Sequence, residues 1–124
     1  MTILVGYTRT PEGHAALTAA TSEATLRGER LLVLNAGEQP GQADSSSLAH
    51  LESDLRAAGA EFELRQQSRG LSAADEVLAT AQAESVQLIV IGLRRRSPVG
   101  KFLLGSNAQK ILLDADCPVL AVKA

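Results

Sequence analysis

The sequence predicts an α/β fold, a single open sheet of five parallel strands with helices on both faces, with residues 1–124 forming one domain. Three observations predict it. Short apolar runs alternate with segments of helical periodicity, in the order β-α-β-α-β-α-β-α-β. Most of those runs are apolar throughout, as parallel strands covered on both faces are. The chain has 124 residues, of which 45% are hydrophobic and 21% charged, a composition for one real core and not for a disordered segment.

Each element has its own signature. Ile3, Leu4 and Val5 form the first strand, and residues 6–10 turn the chain. Thr10 suits the N-cap of the first helix, where its hydroxyl can take an orphan amide, and Pro11 suits the first helical position. That helix presents Ala15, Ala16, Ala19, Ala20 and Ala24 on one face and runs to about Arg27, where Gly28 stops it. Residues 31–34, Leu-Leu-Val-Leu, are the second strand. Residues 35–47 hold Gly37, Pro40, Gly41 and three serines and read as a loop. Leu48, Leu51, Leu55 and Ala58 recur at helical spacing, and Gly59 ends that helix. Phe62 and Leu64 alternate with Glu61, Glu63 and Arg65, the pattern of a half-buried edge strand.

Ser72 and Asp75 resemble a capping box, with Val77, Leu78 and Ala81 as the core face of the helix that follows. Leu88, Ile89, Val90 and Ile91 make the most apolar strand, which places it centrally. A glycine-bounded, arginine-rich loop spans residues 92–105. Ser106 is expected to cap a last helix reaching about Leu113, and residues 118–122 form the final strand.

Charge is unevenly spread. The chain carries −2 overall, but residues 1–93 hold 6 basic and 12 acidic side chains, whereas residues 94–124 hold 6 basic and 2 acidic. Arg94, Arg95, Arg96 and Lys101 make the loop after strand four locally attractive to an anion. In open parallel sheets, ligands bind beyond the carboxyl ends of the strands, where strand order reverses. With strands one and four as neighbours, the loops at residues 6–10 and 92–105 open into one crevice. Gly92 allows close backbone approach, and Gly105 with Ser106 offers free amides at a helix start. Arginine adds a two-pronged grip on phosphate.

Several classes are excluded. The net charge argues against nucleic acid as a partner, and Tyr7, Phe62 and Phe102 are too few for a stacking platform. No apolar run approaches the roughly 18 residues of a membrane span. Residues 1–5 lack a basic leader and read as a strand, not a signal peptide. Cys117, alone, can form no internal disulfide and fits a reducing, cytoplasmic setting, where it reads as a small buried side chain. His14 and His50 lack partners at metal-ligand spacing. Ser45, Ser46 and Ser47 form no nucleophile elbow, and no triad or carboxylate pair is evident, so the chain is not expected to be an enzyme.

The C-terminal third resembles the universal stress proteins. Their motif, Gly-x2-Gly-x9-Gly-[Ser/Thr], is followed by a helix and a Cys-Pro-Val-Leu-like strand. Here Gly92, Gly105 and Ser106 match, and Cys117, Pro118, Val119 and Leu120 follow. The opening Ile3, Leu4, Val5 and Gly6, with Pro11 and Glu12, also matches. The resemblance implies strand order 3-2-1-4-5, of the adenine nucleotide α-hydrolase-like, Rossmann-like kind. It further implies a role in stress survival and a homodimer through the last strand (Val119, Leu120, Ala121 and Val122). One branch of the family binds ATP and another does not. Together with the loop residues read above, the expected nucleotide site comprises Gly6, Thr8, Ile91, Gly92, Arg94, Arg95, Gly105, Ser106 and Asn107, with Mg2+ only alongside nucleotide; of these, Gly92, Gly105 and Ser106 match the family motif. Two positions depart from the ATP-binding pattern: Arg95 stands at the middle glycine, and Thr8 stands at the acidic residue after strand one. Arg95 either blocks the phosphate path or grips the phosphates. The alternative is a homodimeric interaction module of the same fold that binds protein partners without nucleotide.

Overall fold

The structure is a computed structural model that describes residues 2–35, 45–66, 72–93 and 105–123. In chain order the elements are β1 (Thr2–Tyr7), α1 (Pro11–Arg27), β2 (Arg30–Asn35), α2 (Ser45–Ala57) and β3 (Phe62–Gln66). They continue as α3 (Ala73–Ala83), β4 (Leu88–Leu93), α4 (Ser106–Asp114) and β5 (Val119–Lys123). The five strands form one sheet in the order β3-β2-β1-β4-β5, and every pairing is parallel. The expected order and class are both realised. β4 is interior as expected, and β1 is the middle strand.

Strand alternation sorts the core into two layers. Ile3, Val5, Tyr7, Leu31, Val33, Leu88 and Val90 face α1 and α2, where Ala16, Leu17, Ala20, Ala24, Leu51 and Leu55 meet them. Leu4, Leu32, Leu34, Ile89 and Ile91 face the other way, against Ala74 and Val77 of α3 and Ile111 of α4. This is why the central residues of the inner strands are apolar on both faces. The small face of α1 lets that helix lie close to the sheet. β3 is the half-buried edge expected from its alternation.

The helix ends follow local chemistry. Thr10 accepts from the Gly13 amide at 3.1 Å, Pro11 occupies N1, and Gly28 ends α1 in the left-handed conformation at φ 64°. Ser72 accepts from the Asp75 amide at 3.2 Å, as the capping pattern required. Two expectations are corrected. The segment read as a loop over residues 35–47 is shorter, because Asn35 ends β2 and Ser45, Ser46 and Ser47 open α2. Serine favours loops and first helical turns for the same reason, its hydroxyl competing for backbone groups, so composition alone could not separate them. Ser106 does not cap α4. Gly105 is the N-cap, its backbone extended, and it makes no side-chain cap hydrogen bond.

Candidate functional site

The β1–β4 ladder runs only from Ile3 opposite Leu88 to Val5 opposite Val90. β1 continues to Tyr7 against β2, and β4 continues to Leu93 against β5. The two strands therefore part at their carboxyl ends, which is the reversal point of the sheet. The first turn of α1 seats in this opening. A Cβ on Gly92 would fall on the carbonyl oxygen of Glu12, and one on Gly13 would fall on the carbonyl oxygen of Thr8. Neither glycine has a positive φ. Their lack of a side chain serves close approach of α1 to the sheet.

Thr8 and Thr10 are built into the same turn. Their hydroxyls lie 2.7 Å apart, the Thr10 amide donates to the Thr8 carbonyl at 2.9 Å, and Thr10 also caps α1. Gly6 lies on the opposite face of β1, where a Cβ would stand 3.5 Å from Val77. The Ile91 side chain is in the core beside α3 and α4, so only its main chain is available to a ligand. Gly105 and Ser106 open α4, with Ser106 exposed. Because the cap supplies no side-chain acceptor, the first amides of α4 suit an anion in charge and geometry. A phosphate fits this donor set.

Asn107 accepts from the Ala74 amide at 3.4 Å and so ties the start of α4 to the start of α3. Beside it, Lys110 donates to Asp75; this bond, with help from Ser72, holds the Asp75 carboxyl below its ordinary value. The same bond raises Lys110. Arg94 and Arg95, with Arg96 and Lys101, lie outside the described residues, as does most of the arginine-rich loop. The structure thus brings residues 6 and 8 together with Gly92 at one end of the sheet, with α4 starting on that side. Sequence reasoning missed the approach of Gly13 to Thr8 and of Glu12 to Gly92, contacts that no local pattern announces.

Two grooves lie away from this end of the sheet. A groove of about 640 Å³ runs between α1 and α2 past His14, Thr18, Thr21 and Leu55. Another, of about 490 Å³, lies between the ends of α3 and α4 and includes Cys117. Cys117 is half-buried, less than its expected full burial, and burial pushes its thiol up, away from a nucleophilic thiolate. His14 is exposed with its ring edge-on to Tyr7, centroids 5.5 Å apart. Among the described residues no group of three His, Cys, Asp or Glu side chains could hold a metal ion. Among them, too, no helix is long and apolar enough to cross a membrane.

Comparison with known proteins agrees with this architecture. The sequence profile of the universal stress protein family matches residues 1–123. A universal stress protein of Mycolicibacterium smegmatis is 42% identical, over 98% of this chain and 96% of its own. Another, from Thermus aquaticus, is 31% identical over 98% of both chains. Among solved structures, a universal stress protein in complex with cAMP aligns with a TM-score of 0.80 at 25% identity, covering 99% of this chain and 96% of that one. The Archaeoglobus fulgidus universal stress protein in complex with dAMP aligns at 0.71 and 25% identity, covering 98% and 96%. With the profile spanning nearly every residue and a close relative matching end to end, the chain belongs to the universal stress protein family.

Proposed function

We propose that this chain is a stress-response protein that holds an adenine nucleotide without converting it. The observation that carries the reading is the parting of β1 and β4 at their carboxyl ends, with the uncapped start of α4 on the same side of the sheet. Relatives similar along their whole length hold dAMP and cAMP, which supports an adenylate as the ligand class. In this reading Gly105, Ser106 and the main chain at Ile91 and Gly92 receive the phosphates. Gly6 and Thr8 border the ribose, Asn107 fixes the start of α4, and Arg94 and Arg95 supply counter-charge. Mg2+ enters only with the nucleotide's phosphates. Residues 1–124 act as one cytoplasmic domain, and two copies associate through β5.

The test is calorimetric titration with ATP and Mg2+, with AMP and phosphate as controls. ATP should bind more tightly than phosphate, and Gly105→Val should abolish binding while the thermal unfolding midpoint stays within a few degrees. Unchanged ATP affinity in a folded Gly105→Val protein overturns the site.

A second reading, a nucleotide-free interaction module, is favoured by specific contacts. The Thr8 hydroxyl is engaged by Thr10, and the space beside Gly92 is filled by Glu12. A folded protein that binds no adenine nucleotide at millimolar concentration selects this reading.

A further inference from the structure

The amino end of the sheet, opposite the nucleotide crevice, carries a cavity that the core does not fill. About 490 Å³ lies between the carboxyl-terminal ends of α3 and α4, within the size range of sites that hold small organic molecules. Leu78, Ala81 and Val86 give it an apolar wall, and Cys117 lines it just ahead of β5. The rest of its lining is negative. Asp114 and Asp116 both border it. Both helices end there, and the last carbonyls of a helix carry partial negative charge. Lys or Arg in the last turn is the usual answer to that charge, and neither α3 nor α4 has a basic residue in its last turn.

The nearby cations are engaged elsewhere. Lys110 stands one turn before Asp114 and feels its charge, but its ammonium donates to Asp75. Arg65, which reaches the end of α3, is shared between Glu63 and Glu84. Asp116 enters no ion pair or side-chain hydrogen bond among the described residues. Ser85 follows α3 in the left-handed conformation at φ 51°, where glycine is the usual residue, and it too lines the cavity. A serine there costs conformational energy that glycine avoids, and it places a hydroxyl acceptor at the cavity. Among the described residues no group of three His, Cys, Asp or Glu side chains could hold a metal ion. Carboxylates beside an apolar wall suit a cation with a hydrocarbon body instead.

We propose that this cavity binds an aliphatic polyamine. A primary ammonium has three donors, which Asp114, Asp116 and the terminal carbonyls of the two helices accept. The methylene chain lies against Leu78, Ala81, Val86 and the Cys117 sulfur. Binding is reversible, and no covalent bond forms or breaks. The assignment does not rest on the nucleotide-binding reading, since the two sites occupy opposite ends of the sheet.

Cys117 is the chain's one cysteine, so its alkylation reports whether the cavity is occupied. The full chain is titrated with spermidine at about 0.15 M ionic strength, where distant surface charges are screened. Alkylation by iodoacetamide, an uncharged reagent, is followed. Because Asp116 itself raises the Cys117 thiol, protection is read as the ratio of rates with and without spermidine in the same protein. Spermidine should slow the reaction saturably, with half-protection at millimolar concentration or below, and octanediol, an uncharged chain, should not. The double variant Asp114→Asn, Asp116→Asn should need about tenfold more spermidine, the loss expected when hydrogen bonds to a charged group are removed. Asp54→Asn, on α2 across the sheet, should behave as the wild type. Asp114 and Asp116 are exposed, and thermal unfolding checks that each variant is folded. An unchanged rate up to tens of millimolar spermidine overturns the proposal. So does protection that survives in the double variant, or that sodium chloride of equal ionic strength reproduces, because either marks general attraction of a polycation to an acidic protein. Should the double variant fail to fold, the octanediol and sodium chloride comparisons on the wild type decide.

Discussion

Gly92 shows how one residue can satisfy two explanations while the structure supports one of them directly. Its place after a strand and before an arginine-rich loop reads as a phosphate-approach glycine. In the fold, the volume a side chain would take is held by the main chain of Glu12. Gly92→Ala should therefore destabilise the protein by roughly 1–3 kcal/mol, the usual cost of overpacking a tight contact. Urea unfolding measures this directly. A change below about 0.5 kcal/mol, the size of an ordinary surface substitution, contradicts the packing role. The identity of the glycine was legible in the sequence; its neighbour was not, because a contact between positions 80 residues apart leaves no local pattern. The same holds for Gly13 against Thr8. By contrast, the roles of Thr10 and Gly28 are set by the chain within four residues of them, and both could be read in advance.

At the scale of elements, the starts of α3 and α4 form one unit through Asn107 to Ala74 and Lys110 to Asp75. The Asp75 carboxyl is held below 3.8, so its contribution to stability is present above that value and lost as pH falls through its folded value. Lys110 is raised above 10.5, so its contribution is full below that value and lost as pH rises through its folded value. The pair is thus fully effective between about pH 4 and pH 10.5 and is lost progressively beyond that window, as pH passes the folded value of either group. Carboxyl NMR titration of Lys110→Met should show Asp75 moving up toward its ordinary value, with Ser72 still restraining it. An unmoved Asp75 midpoint contradicts the pairing. Both residues are visible in the sequence, yet they are 35 positions apart and the pairing needs the fold. Helices and strands were legible wherever period and caps agreed. The start of α2 was not, since serines at its first turn resemble a loop.

The whole molecule has two sheet edges, and the chain treats them differently. At the β3 edge, Arg30 pairs with Glu63, and Arg65 reaches Glu63 at 3.3 Å and Glu84 at 2.5 Å. Charges placed this way deter pairing with another strand. At the β5 edge Leu120 is 38% exposed, with Lys123 exposed at the strand's end, and on the neighbouring α4 Leu113 is 75% exposed. An open strand edge bordered by leucine is stable in water when another surface covers it. A second copy supplies an identical edge, and a two-fold arrangement closes both at once. Sedimentation at micromolar concentration should therefore give a dimer. Leu120→Lys should give a folded monomer, because the side chain is exposed in one copy and costs little to replace there. A wild type that sediments as a monomer overturns the association. A Leu120→Lys protein that remains dimeric moves the interface away from β5. The asymmetry itself follows from composition: β3 alternates Phe62 and Leu64 with Glu63 and Arg65, whereas β5 runs Val119, Leu120, Ala121 and Val122 before its first charge, Lys123. The same difference that marks β3 as a terminal strand leaves β5 as the edge that the proposed second copy would cover.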